Sequence, residues 1–175
     1  MRDVLLEADD VVLCAQLGRP AREPWEVVAR CSHGRPSTIL TGPLLGDGAL
    51  FPTLYWLTCP WLRAYVDGLE SAGVLKEWRA RLAAEPKLAR RMDLAEAQYR
   101  ERRALAAGGV DPCAAVGIAG QRDSSATKCI HAHVAAALAG IDDPIGTEVM
   151  SVIDPMWCPD QLCIALLDPG SGRRA

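Results

Sequence analysis

The three histidines of the chain all lie two or four residues after a cysteine. His33 follows Cys31 by two residues. His131 and His133 follow Cys129 by two and four residues. Thiolate and imidazole are the ligands that zinc prefers, and close Cys/His spacing is typical of zinc sites. The pattern therefore indicates a metal site for zinc, with an iron-sulfur cluster on the cysteines as a variant.

Helix geometry allows two arrangements in which Cys129 lies close to one of the histidines that follow it. If Cys129 is already helical, Cys129 and His133 stand at positions i and i+4 and share one helix face. If Cys129 directly precedes the helix, Cys129 and His131 are the pair that converges. The spacing allows both arrangements, and each places the site beside an apolar helix stripe.

Cys59 lies at a junction in the stretch FPTLYWLTCPW, residues 51–61. The stretch begins like a buried strand, and Pro60 follows Cys59 at the predicted first position of a helix. The positive end of a helix dipole and its unpaired N–H groups favour a thiolate, so a lowered pKa is predicted for Cys59. Cys59 is thus a candidate metal ligand or, with His131 as general base, a candidate nucleophile.

The elements that position these residues are predicted to be strands first and helices afterwards. β-Branched and aromatic residues between glycine-containing turns predict strands over residues 25–31, 37–42 and 49–58. Apolar residues at helical spacing predict helices at residues 3–17, from about residues 61, 75 and 88 onward, at Asp111-Pro112, in CIHAHVAAALAG (129–140) and at Asp143-Pro144. The prediction is an α+β fold, in which a three-stranded antiparallel meander packs against several helices. We expect one domain over residues 1–168 and a disordered tail over residues 169–175.

Strand direction extends the metal hypothesis. Odd strands of an antiparallel meander run the same way, so Cys31 and Cys59 are predicted to lie at the same end of the sheet. The helix that begins near Cys129 is expected to dock at that end. A joint site would then consist of the three cysteines with His131 or His133.

Packing is the alternative role for each cysteine taken alone, because a free cysteine is among the most buried residue types. Cys14 and Cys113, on apolar helix stripes, are predicted to be core residues on this ground. Cys158 and Cys163 form a loose pair near the end of the chain, for which metal binding is the less favoured interpretation.

Composition narrows the class of protein. The 175 residues fit one domain, and a formal net charge of -3 with 50% hydrophobic residues is typical of a soluble globular chain. Apolar runs stop short of the ~18 residues of a membrane helix, and a secretory signal is absent from the first residues. We therefore expect a cytoplasmic protein without a membrane partner, whose seven cysteines are mostly reduced. Residues 76–103 carry nine basic and five acidic residues, a mixture typical of a solvated helix surface rather than of a nucleic-acid partner.

Four motifs together resemble a known bacterial family. The family is the uncharacterised domain of unknown function five hundred and one, common in actinobacteria, and the resemblance covers residues 16–154. It implies that Cys31, Cys59 and Cys129 match the motif cysteines and that His131 matches the motif histidine. Genes of the family often lie near those of a septum-formation initiator and an exopolyphosphatase, which implies a housekeeping role. The motifs are RCSHGRP (30–36), FPTLYWLTCP (51–60), KCIHAH (128–133) and DPIG (143–146).

Three functions are compatible with these observations. The first is a metal-binding protein whose Cys/His site has a structural or regulatory role. The second is a non-enzymatic protein that uses the charged helices of residues 75–107 to bind a partner in cell division or polyphosphate metabolism. The third is a cysteine enzyme with Cys59 as nucleophile and His131 as base. The sequence favours them in that order.

Overall fold

A three-stranded antiparallel sheet and seven α-helices make up the described part of the chain. The computed structural model describes residues 2–167, with side chains for residues 8–163 and 165–167. The predicted tail, residues 169–175, lies outside this range. The strands, in sheet order, are β1 (Trp25–Arg30), β2 (Pro36–Thr41) and β3 (Tyr55–Leu57). The helices are α1 (Arg2–Leu17), α2 (Pro60–Ser71), α3 (Val74–Ala84), α4 (Pro86–Ala106), α5 (Ile130–Leu138), α6 (Pro144–Ser151) and α7 (Leu162–Leu167).

The predicted α+β class and antiparallel meander are confirmed. The third strand is shorter than predicted, Tyr55–Leu57 instead of residues 49–58. Pro52 lacks the N–H that a strand donates to its neighbour, so regular pairing does not extend through it. The chain rejoins the sheet at Leu54, whose carbonyl accepts a hydrogen bond of 2.8 Å from the N–H of Thr41.

The helix predicted at Asp111-Pro112 does not form, and residues 112–115 make a turn instead. The Asp111 carboxylate accepts two hydrogen bonds of 2.8 Å from the guanidinium of Arg103 and one from the N–H of Cys113. Arg103 is fully buried and also donates to the carbonyl of Pro52. A buried charge needs such partners, and this requirement fixes the connection after α4.

The main core lies between β3 and helices α2 to α6. Its fully buried side chains include Leu54, Leu62, Tyr99, Ile130 and Ile145. The hydroxyl of Tyr99 accepts a hydrogen bond of 2.7 Å from the N–H of Leu54, which joins α4 to the strand edge. Among the helices of residues 2–167, none combines the length and the apolar composition that crossing a bilayer requires.

Two cysteines differ from their predicted placement in the core. Cys14 is exposed, because α1 buries the neighbouring face that carries Leu13. Cys113 is only half-buried, in the turn that replaces the predicted helix. Cys158 and Cys163 are both buried, and Cys163 belongs to α7, a short helix that the sequence patterns do not predict.

Helices α5 and α6 pack at very close range. Asp143 caps α6, since its Oδ1 accepts hydrogen bonds of 2.9 Å from the N–H groups of Ile145 and Gly146. A Cβ atom at position 146 would lie 2.2 Å from the carbonyl oxygen of His133 and 2.8 Å from the Cβ of Ala137. Only glycine fits there without moving the α5 backbone.

We predict that Gly146→Ala destabilises the protein by about 2–3 kcal/mol, because the new methyl group meets backbone that cannot rotate away. The free energy of unfolding in urea measures this. Gly68→Ala is the matched control, since nothing lies within 4 Å of a Cβ at that position of α2. It should be neutral or stabilise the helix by up to ~1 kcal/mol. Equal effects of the two substitutions would contradict the close packing.

Candidate metal site at the start of α5

Cys129 is the N-cap residue of α5 and has an extended backbone, with φ -157° and ψ 115°. The helix begins at the next residue, so His131 stands at its second position. The Sγ atom of Cys129 and the Nδ1 atom of His131 lie 3.7 Å apart. This is the second of the two arrangements that the Cys/His spacing allows, and it pairs Cys129 with His131 rather than with His133.

Helix α2 supplies two carboxylates to this pair. Asp67 and Glu70 are three residues apart and therefore share one helix face. The Oε1 atom of Glu70 accepts a hydrogen bond of 2.6 Å from the N–H of Ile130 and lies 3.3 Å from Nδ1 of His131. The Oδ1 atom of Asp67 lies 3.1 Å from Nε2 of the same ring. The imidazole thus has a carboxylate beside each nitrogen.

Glu70, Cys129 and His131 form a compact group of three potential metal ligands. One oxygen, the sulfur and one ring nitrogen all lie within 4.8 Å of one another, and all three residues are half-buried. Within the described residues, no other three Cys, His, Asp or Glu side chains come this close. The group contains one ligand atom each of oxygen, sulfur and nitrogen, all types that zinc accepts.

The environment of His131 favours its protonated form. The hydrogen bond with Cys129 is the largest cause, and the negative charges of Glu70 and Asp67 add to it. Together they outweigh the effect of burial and raise the pKa of His131 to about 9. In the metal-free protein at neutral pH, the ring therefore carries the positive charge that the surrounding carboxylates balance.

Two members of the group, Cys129 and His131, line a cleft of about 500 Å³. Cys129, His131 and Asp67 line it on one side. Aromatic side chains of β3 and two arginines, Arg19 and Arg63, line other parts of the wall. A volume of this size is typical of sites for small molecules, so a species bound at the group can meet a ligand from solution.

His133 has a different role, inside the protein. It is buried, and its Nδ1 donates a hydrogen bond of 2.7 Å to the Asp143 carboxylate. Its Nε2 accepts one of 2.6 Å from the hydroxyl of Thr127. With both nitrogens engaged, His133 has no free lone pair for a metal. It connects the loop before α5 to the start of α6.

Cys59 is buried, and its predicted low pKa is wrong. Burial raises the pKa of the Cys59 thiol to about 11, although the backbone N–H groups of Leu62 and Trp61 act in the opposite direction. Desolvation of the thiolate raises the pKa of Cys59 by more than the helix terminus lowers it. Cys59 is therefore poorly suited to be a nucleophile at neutral pH.

The structure does not bring Cys31 and Cys59 into the group around Cys129. The reason is the length of α2. Cys59 caps its first turn, whereas Glu70 is eleven residues further along, a distance of about 16 Å at the usual helical rise. Because α5 meets the far end of α2, the predicted joint site is divided between two places.

The sequence patterns do not identify Asp67 and Glu70. Acidic residues three positions apart on an amphipathic helix are common on solvated surfaces, and their spacing to Cys129 is about sixty residues. Asp67 and Glu70 come close to Cys129 and His131 only because α5 docks against α2. Sequence spacing detects only the local part of the site, Cys129 with either His131 or His133.

Residues 27–151 match a family model described as a protein of unknown function, DUF501. The chain belongs to the DUF501 family. The matched segment contains Cys31, Cys59, Cys129 and His131, as the resemblance of the motifs implies, whereas Cys158 lies beyond it. Searches of curated proteins and of solved structures found no match to this DUF501 protein.

We predict that Cys59 is alkylated much more slowly than Cys14 at pH 8, in protein freed of metal with a chelator. A pKa of about 11 leaves about one thiol in a thousand ionised at that pH. Cys14 is exposed and serves as the internal reference. Mass spectrometry of peptides after timed iodoacetamide treatment measures both rates. Equal rates would show that Cys59 is neither buried nor raised in pKa.

Proposed function

We propose that this DUF501 protein binds a zinc ion through Glu70, Cys129 and His131. The observation that carries the proposal is the spacing of the ligand atoms. Zinc bonds of ~2.3 Å to sulfur and ~2.0–2.1 Å to nitrogen or oxygen place tetrahedral S and N ligands ~3.6 Å apart, and N and O ligands ~3.3 Å apart. The corresponding distances here are 3.7 Å and 3.3 Å.

Asp67 supports the same proposal. A histidine that binds zinc through one nitrogen usually presents the other N–H to a carboxylate, which fixes the tautomer and the ring orientation. The Asp67 oxygen stands 3.1 Å from Nε2, while Nδ1 faces Cys129 and Glu70. The ring is thus held in the orientation that a Zn–Nδ1 bond needs.

Three protein ligands leave the fourth zinc position for water or a small molecule from the cleft. Closed structural zinc sites use four protein ligands, whereas sites with an open position bind or activate a ligand. We therefore assign the ion a regulatory or ligand-binding role. An iron-sulfur cluster does not suit this group, because only one of its ligands is a thiol.

We expect Cys129→Ser and Glu70→Gln each to lose one equivalent of zinc per chain relative to the unaltered protein. Both substitutions remove a ligand atom with little change in side-chain volume. Elemental analysis of protein purified without added metal measures the loss. Cys14→Ser is the matched control, since its thiol is exposed and outside the group. Unchanged zinc in Cys129→Ser would refute the proposal.

Asp67→Asn is expected to weaken zinc binding 10–100-fold without removing a ligand, as substitutions beside zinc-bound histidines do. The Asp67 side chain is 68% exposed, so its loss should not affect folding. Competition with a chromophoric chelator gives the affinity. Asp142→Asn is the control, because Asp142 is an exposed acid in contact with Arg91. Equal affinities of the two variants would exclude Asp67 from the site.

A cysteine enzyme with Cys129 as nucleophile is the second candidate. The 3.7 Å between Sγ and Nδ1, with Asp67 at the opposite nitrogen, is the Cys–His–carboxylate order of thiol enzymes. Glu70 argues against it, because its charge lies near the sulfur and occupies the Ile130 N–H. Glu70→Gln separates the two functions: it should speed the alkylation of Cys129 in a thiol enzyme and release zinc from a metal site.

A further inference from the structure

Four cysteines gather around the turn between β1 and β2, away from the group at α5. Cys31 opens this turn and donates its N–H to the carbonyl of Arg35 at 2.9 Å. Cys59 donates its N–H to the carbonyl of Ser37 at 3.3 Å, just after the turn. The same turn thus positions two thiols that are far apart in sequence.

The C-terminal part of the chain adds two more cysteines, Cys158 and Cys163, to this place. Nε2 of His33 lies 2.7 Å from the carbonyl oxygen of Cys158. The amide of Gln16 donates both to the Sγ of Cys163, at 3.0 Å, and to the carbonyl of Pro36, at 2.9 Å. Three separate parts of the chain therefore meet at one place. The four residues are Cys31, Cys59, Cys158 and Cys163, here named the turn thiols.

Three polar side-chain atoms without a hydrogen-bond partner belong to residues next to the turn thiols. The Oε1 of Gln16, the Oγ of Ser37 and the Oγ1 of Thr58 have no hydrogen-bond partner within the described residues. Gln16 is 5% exposed, and Ser37 and Thr58 are fully buried. Thr58 directly precedes Cys59, Ser37 accepts the N–H of Cys59, and Gln16 contacts the Sγ of Cys163, so the surroundings of the turn thiols contain polar groups as well as sulfur.

We infer that the turn thiols form a second metal site, in which four thiolates hold one zinc ion. No three of their sulfur atoms lie within 4.8 Å of one another, so binding requires the cysteine side chains to rotate about their Cα–Cβ bonds. Four thiolates complete the tetrahedron and leave no open position, which is the pattern of a structural site. The ion would hold the segment of residues 158–163 against the end of the sheet.

This site is independent of the one proposed at α5, and the Cys129→Ser variant isolates it. That variant leaves all turn thiols intact and should retain one equivalent of zinc. X-ray absorption at the zinc edge is expected to give four sulfur ligands for the retained ion. A retained ion with mostly nitrogen or oxygen ligands, the absence of zinc, or iron in its place would overturn the inference.

The double variant Cys158→Ser/Cys163→Ser provides the reverse test. It should lose the four-sulfur component and one equivalent of zinc, keep the zinc at α5, and melt at a lower temperature. Cys14→Ser/Cys113→Ser is the matched control, with zinc content and melting temperature unchanged. If the Cys158→Ser/Cys163→Ser protein keeps the zinc content of the unaltered chain, the turn thiols hold no ion. If only the site at α5 holds no zinc, Cys129→Ser has the same zinc content as the unaltered protein.

Discussion

The carboxylate of Glu70 fixes the start of α5, and the candidate site depends on it. The first N–H groups of a helix lack partners within the helix, and an acidic group there also meets the positive end of the dipole. Glu70 accepts the N–H of Ile130 at 2.6 Å from the neighbouring helix α2. This contact sets the residue at which α5 begins. Cys129 becomes the cap, and His131 turns toward the same carboxylate.

The two ends of helix α2 carry different functional groups and lie in different surroundings. Its first turn, capped by Cys59, lies at the end of the sheet where burial raises the pKa of that thiol. Its last turn presents Asp67 and Glu70 to the half-buried start of α5, and Asp67 also lines the cleft. These surroundings favour the two sites that we propose, a protected site of four thiols and an open site of three ligands. Partner binding through the charged helices of residues 75–107 stays a prediction.

Local sequence relations predicted a large part of this structure. The α+β class and the meander follow from the periodicity of apolar residues and the turns between them, which the sequence displays directly. The spacing of Cys129 to His131 and His133 predicts that one of the two histidines lies beside the thiol, and the structure has His131 there. The roles of Glu70 and Asp67 depend on how α5 docks, and no local pattern encodes that. The pKa of Cys59 was predicted with the wrong sign for a related reason. A helix terminus is visible in sequence, whereas the burial that outweighs it is a property of the tertiary structure.

Diffraction from crystals of the unaltered protein, recorded on both sides of the zinc absorption edge, locates the ion directly. The account predicts an anomalous difference peak between the Oε1 of Glu70, the Sγ of Cys129 and the Nδ1 of His131, with Asp67 still at the other ring nitrogen. Zinc-replete crystals without a peak at this position would contradict it, whatever is found at the turn thiols.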